Sequence, residues 1–220
     1  MTTVIRELKA DDKDEFCRFL GENFYGHEPL LQTPGDHQRS PDTPEKREAR
    51  LAIIQQGLSL AAVDHNDGDR IVGVAYAEIL LPGDLEESWM KVAEKKPTAF
   101  IQHVHYFITG VEKRSQLFEH YKVKKALYLN NLTVDSSVRC QGLGRRLVTA
   151  LMDMGRSKGF PLLATCCTSL YSTRVMLSLG MSYVHSENYV DYKDEDGNMV
   201  IRPPAPHTAV NVMAIKFPLL

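Results

Sequence analysis

Residues 126–161 read ALYLNNLTVDSSVRCQGLGRRLVTALMDMGRSKGFP, and this stretch decides the fold. Leu127, Leu129 and Leu132 to Val134 predict a strand, followed by a short polar turn. Leu143, Leu147, Ala150, Leu151 and Met154 then recur at helical spacing, with Lys158 in the last turn, Gly159 as the C-cap and Pro161 as the stop. Leu162 to Cys167 reads as the next strand. Strand, crossover helix and strand argue for a parallel pair.

The turn between strand and helix carries the chemistry. In Arg139-Cys140-Gln141-Gly142-Leu143-Gly144-Arg145-Arg146, two glycines let the backbone turn tightly and approach a ligand. They stand where a helix begins, so several N–H groups lack an intrahelical partner and the helix dipole favours an anion. Arg139, Arg145 and Arg146 add charge suited to phosphates, and a pyrophosphate is the natural ligand. The P-loop is excluded, since no Gly-Lys followed by Ser or Thr is present. The dinucleotide fingerprint is excluded too, because its third glycine would stand at Leu147. The competing explanation is a glycine turn before an ordinary helix.

Towards the N-terminus, Val4 to Glu7 predicts a strand, and Asp11 or Asp12 caps a helix running to about Phe24. Gly26 ends it, and an irregular segment follows, in which Pro29 forces Glu28 towards extended geometry and bars a helix. Gln32 to Asp42 is loop-like. Thr43-Pro44-Glu45 opens a helix that Gly57 closes. Leu58 to Val63 and Arg70 to Leu81 form a hairpin around Asn66-Asp67-Gly68-Asp69. Residues 84–125 are mostly helical and either cover a substrate site or serve as packing helices. Towards the C-terminus, Ser169 or Ser172 caps a helix over Tyr171 to Leu179. Strands follow over Met181 to Tyr192 and Val210 to Phe217, separated by a turn and a Pro203-Pro204-Pro206 loop that carries His207.

Composition sets the remaining bounds. The chain of 220 residues suits one domain over 1–220, with 43% hydrophobic and 25% charged residues. A net charge of −2 gives no basic field for nucleic acid, and no apolar run reaches membrane-span length. Cys17, Cys140, Cys166 and Cys167 form no CxxC pair, so reduced thiols and a cytoplasmic location are expected. No metal site is expected, since His103 and His105 lack partners at zinc spacing. A monomer is the expected state.

Arg139-x-x-Gly142-x-Gly144 resembles the R/Q-x-x-G-x-G/A signature of the GCN5-related N-acetyltransferases, and the order of elements along nearly the whole chain is similar to theirs. A closer resemblance is to the insect arylalkylamine N-acetyltransferases. It rests on Glu28-Pro29-Leu30, on Thr165 to Ser172 followed by Arg174-Val175-Met176, and on Pro206-His207. The resemblance implies an α/β fold: a mixed, largely antiparallel sheet of about seven strands, splayed between the fourth and fifth and flanked by helices. It implies acetyl-CoA as co-substrate and a small-molecule amine as acceptor, an arylalkylamine such as dopamine or serotonin first, a polyamine or agmatine as the rival. By the same resemblance, acetyl-CoA lies against Leu132, Thr133, Val134, Arg139, Cys140, Gln141, Gly142, Leu143, Gly144, Arg145 and Ser172. The amine is expected near Tyr25, Glu28, Pro29, Thr168, Ser169 and His207; Glu28 is catalytic by the resemblance, Ser172 is the candidate for positioning or protonating the CoA sulfur, and His207 for assisting proton transfer or lining the amine pocket.

An alkylammonium, like lysine, titrates near 10.4, so amide formation at neutral pH needs a base. Glu28 matches the family's base, and Tyr25, Leu30 and Leu31 are placed to desolvate it. The usual tyrosine acid is absent, its position being Met176, which leaves Tyr171, Ser172 or an unaided thiolate. An acetyl-cysteine route through Cys166-Cys167 and a non-catalytic acyl-CoA-binding module are the remaining rivals.

Overall fold

The computed structural model describes residues 3–34 and 42–218. Most of the expected Gln32 to Asp42 loop lies outside the described residues. Seven strands form one sheet in the order β1-β2-β3-β4-β5-β7-β6. They are β1 (Thr3–Glu7), β2 (Leu60–Asp64), β3 (Arg70–Leu80), β4 (Ala126–Val134), β5 (Leu162–Cys167), β6 (Ser182–Asn188) and β7 (Ala209–Lys216). The helices are α1 (Lys13–Asn23), α2 (Pro44–Ile54), α3 (Asp84–Ala93), α4 (Phe100–Arg114), α5 (Leu117–Tyr121), α6 (Leu143–Ser157) and α7 (Leu170–Ser178). Every strand pairing is antiparallel except β4 with β5, as the crossover through α6 requires.

Helix α6 is anchored at both ends by glycine. Gly142 caps its start with φ +76°, and Gly159 closes it with φ +68°. The Phe160 and Gly159 N–H groups return to the Gly155 and Arg156 carbonyls, a Schellman closure. Its apolar face, including Leu143, Leu147, Val148 and Leu151, joins the core cluster that covers β2, β3, β4 and β5. Each fully buried leucine there contributes about 2 kcal/mol.

The parallel pair is short, and this creates the site. β4 and β5 are in register only at Leu127–Leu163, Tyr128–Ala164 and Leu129–Thr165. Past that point the β4 edge over Asn130–Val134 has no strand beside it, while β5 stays paired with β7 through Cys167. The register of β3 against β4 also shifts between Tyr76 and Ala77, which leaves Asn130 as an extra residue and bends β4. The Thr165 hydroxyl donates to the Leu129 carbonyl at 2.8 Å and closes the apex of the splay.

Three local expectations are corrected and one alternative is decided. Pro29 opens a short 3-10 turn, Pro29–Gln32, since its missing N–H is not needed at a first position; Glu28 before it is extended, as expected. Asp12 does not cap α1. Its carboxylate takes the Arg6 guanidinium at 2.7 and 2.9 Å and the Lys9 N–H at 2.8 Å, capping the preceding 3-10 turn. Between the two candidate serines, Ser169 caps α7, accepting from the Ser172 N–H at 2.9 Å. The strand expected through Tyr192 ends at Asn188, because buried Tyr189 turns inward and its hydroxyl donates to the Thr168 carbonyl at 2.5 Å.

Candidate active site

The splay opens a cavity of about 1090 Å³ bounded by the ends of α1 and α6, the open edge of β4, the α7 start and one face of α4. Its two arms differ in chemistry.

One arm is the start of α6. No side chain caps this helix, and its first internal hydrogen bond runs from the Arg146 N–H to the Gly142 carbonyl at 3.0 Å. The N–H groups of Leu143, Gly144 and Arg145 are therefore free to hold an anion. Helix α7 is the contrast, since Ser169 and His207 occupy its leading N–H groups. Gly144 has neither a positive φ nor a crowded side: a Cβ there meets Leu132 and Val134 at an ordinary 3.7 and 3.8 Å. Neither strain nor packing calls for glycine at 144, and the small residue leaves the backbone open to the cavity.

The β4 edge continues this arm. The Asp135 N–H donates to Val72 on β3 at 3.0 Å, so by strand alternation the backbones of Leu132 and Val134 face the splay, while that of Thr133 faces β3. An extended amide-containing chain fits beside Leu132 and Val134. The uncapped N-terminus, the open glycine and the free strand edge together suit the pyrophosphate and pantetheine of acetyl-CoA.

The arginines divide differently from the simple expectation. Arg139 lines the cavity, but its guanidinium ties the Val134 carbonyl (3.0 Å) to the Asn23 carbonyl (3.4 Å). Arg146 turns away to the Thr3 carbonyl at 3.0 Å, and Arg145 lines the cavity beside the α6 start. Gln141 is exposed and does not line the cavity.

The other arm holds Glu28. Its carboxylate accepts from the Leu30 N–H at 3.4 Å and from the Thr168 hydroxyl. Burial raises its pKa above the usual carboxylate range, against the pull of those two donors. Tyr25, Pro29, Thr168 and Ser169 line the same cavity. Tyr25 is held through its hydroxyl by Arg50 at 2.5 Å.

His207 also lines the cavity, and its Nδ1 accepts from the Leu170 N–H at 3.1 Å. That bond assigns the ring proton to Nε2, and burial lowers the pKa of the ring, favouring the neutral form. Tyr171 packs edge-on against His207, with centroids 5.4 Å apart. Ser172 lines the cavity in the first turn of α7, its hydroxyl donating to the Ser169 carbonyl at 3.0 Å. Met176 is buried and forms part of the wall.

Cys166 and Cys167 both reach the cavity wall, and burial raises both thiols, Cys167 to about 11. Protonated thiols make poor nucleophiles, which disfavours the acetyl-cysteine route. Among the described residues no group of three His, Cys, Asp or Glu side chains is placed to hold a metal ion. No helix of the described residues is long and apolar enough to cross a membrane.

Of the two alternatives for residues 84–125, the covering one holds for α4, which walls the cavity; sequence reasoning missed only Glu112. Phe100, Val104, Ile108 and Glu112 repeat every four residues and all line the cavity. The apolar part of that stripe was present in the sequence, and its next turn is acidic. Glu112 receives the Tyr128 hydroxyl from β4, and burial lifts its pKa to about 7.

Solved structures with a similar architecture include small-amine N-acetyltransferases. A Drosophila melanogaster polyamine N-acetyltransferase that forms N-acetylagmatine is 27% identical, with a TM-score of 0.83 over 98% of this chain and 100% of that one. Arylalkylamine N-acetyltransferase 2 from Aedes aegypti is 25% identical, with a TM-score of 0.87 over 98% and 99%. The sequence model of the Acetyltransferase (GNAT) family matches residues 27–181, which takes in Glu28, the splayed strands and the glycine loop, and the chain belongs to that family.

Proposed function

We propose that the protein, as a single domain over 1–220, transfers the acetyl group of acetyl-CoA to the primary amine of a small molecule in a ternary complex. The observation that carries this reading is a desolvated carboxylate, Glu28, in the same cavity as an uncapped helix start. Glu28 takes a proton from the incoming ammonium. The amine nitrogen bonds to the thioester carbon, the carbon–sulfur bond breaks, and the departing thiolate takes up a proton. The Leu132 backbone and the Val134 N–H are offered to the pantetheine, and the α6 start with Arg145 receives the pyrophosphate. Ser172 stands at the α7 start to donate towards sulfur, and neutral His207 orients that start through Leu170.

Two acceptor classes have support. Rings around the opening, from Phe24, Tyr25, Phe100 and Tyr171, suit a dopamine- or serotonin-like arylalkylamine. The Glu112 carboxylate favours the second class, polyamines and agmatine. The two relatives above act one on each class.

The test is a pH–rate profile of wild type and Glu28→Ala with an amine panel. Loss of the base lowers kcat/KM about 100- to 1000-fold near neutral pH. The deficit shrinks towards pH 10, where free amine becomes abundant. An unchanged profile in the variant removes Glu28 as base. Tight CoA binding with no amine acetylated makes the protein an acyl-CoA-binding module.

A further inference from the structure

Glu112 is not needed for proton removal, and its setting is that of a binding group. Residues Phe100 to Glu112 span about 18 Å along α4 at 1.5 Å per residue, and the cavity-lining stripe runs that length. Glu112 meets Tyr128, whose neighbour across the sheet is Ala164, in the closed segment of the β4–β5 pair. The carboxylate therefore lies at the apex of the splay, at the inner end of the α4 wall.

Its surroundings are acidic. Tyr128 supplies one donor, whereas an ionised carboxylate accepts at about four positions. The charge that bears on it is another acid, Glu78, itself bonded to Asn130 at 2.8 Å. Among the described residues no cation pairs with Glu112. A charge buried without a counter-ion is unfavourable and seeks either a proton or a cation. Cys166 is influenced by both Glu112 and Glu28, so the two carboxylates stand around one thiol in one cavity.

We propose that Glu112, with the Tyr128 hydroxyl upon it, binds a second cationic group at the far end of the acceptor, so that the preferred acceptors are diamines, polyamines or guanidino-amines. The proposal rests on the reading of this cavity as the amine site. Glu28 serves the nitrogen that is acetylated and Glu112 the one that is not. An alkyl or aryl end leaves Glu112 without a counter-ion, and an ammonium or guanidinium supplies one. The rival explanation is that Glu112 and Tyr128 merely tie α4 to β4.

The deciding experiment is calorimetric titration of the protein–CoA complex with putrescine, agmatine, n-butylamine and tyramine, for wild type and Glu112→Gln, alongside kcat/KM for the same amines. Wild type is expected to bind putrescine and agmatine at least tenfold more tightly than n-butylamine. Glu112→Gln should weaken the two dications by roughly 10- to 100-fold, the value of one charge-assisted contact, and n-butylamine by less than about twofold. Equal wild-type affinity for putrescine and n-butylamine overturns the proposal, and needs no variant. An equal loss for all four amines makes Glu112 structural, and a loss as large for tyramine as for putrescine makes it a hydroxyl acceptor; either overturns it. Selective binding of dications without acetylation of any amine leaves the subsite standing and refutes the acetyltransferase reading instead.

Discussion

Replacing Glu112 by glutamine should make the protein more stable at alkaline pH and alter the pH dependence of its unfolding. In the unfolded chain this carboxyl titrates near 4.5; in the native cavity it does so at about 7. Between those values the native state binds the proton more firmly than the unfolded state. Native stability therefore falls as pH rises from about 4.5, and the loss is complete above about 7. At about 1.4 kcal/mol for each pH unit, the full cost is about 3 kcal/mol, and about 2 kcal/mol where the cavity admits water. For a chain of this length that amounts to several degrees in Tm. Urea unfolding of both proteins at pH 5 and pH 8, without CoA or amine, reads it directly. The stability of Glu112→Gln minus that of wild type should grow by about 2–3 kcal/mol between the two pH values. A constant offset from the amide cancels in that comparison. A difference that stays flat, or shrinks, with pH would falsify the burial of an ionisable Glu112. Added putrescine should restore wild-type stability at pH 8 if the charge is the distal-cation site.

Two glycines of α6 should behave in opposite ways. Gly144→Ala places its methyl in ordinary contact, and alanine is the signature's own alternative at that position, so both Tm and CoA affinity should hold; a roughly tenfold loss of CoA affinity would mean that the ligand passes closer to this backbone than the signature implies. Gly155→Ala puts a Cβ 2.8 Å from the Phe217 ring and 3.0 Å from Leu127, so thermal unfolding should show a loss of about 1–3 kcal/mol with CoA affinity intact; a wild-type Tm would mean that this face of the core is looser than its contacts indicate.

Residues 126–180 were legible in the sequence because their structure is written locally. A four-residue apolar period, glycines with positive φ and a stopping proline fix α6 with little help from the rest of the chain. The Glu28-Pro29 element was legible for the same reason, since proline dictates the backbone before it. What the sequence hid depends on partners far along the chain. Asp12 reads as a helix cap until Arg6 claims it. Arg139 reads as a phosphate ligand until the carbonyls of Val134 and Asn23 take its guanidinium. Tyr189 reads as strand until its burial among Leu30, Phe107 and Val210 ends β6. Nothing local in the sequence singles out Glu112, and only the placement of α4 beside the β4–β5 apex puts it at the cavity.

The splay separates these ligands by charge as well as by shape. Free N–H groups and Arg145 make the α6 arm attractive to anions, while Glu28 and Glu112 make the α4 arm repel them. A CoA pyrophosphate entering the acceptor arm would meet two half-buried carboxylates, and an ammonium entering the donor arm would meet a positive helix start. Like-charge contact of this kind discriminates against the wrong occupant, which is worth as much to specificity as the attraction of the right one. The seven-stranded frame needs only to let β4 and β5 diverge at Leu129 and Thr165 for both arms to meet where the carbonyl and the amine react.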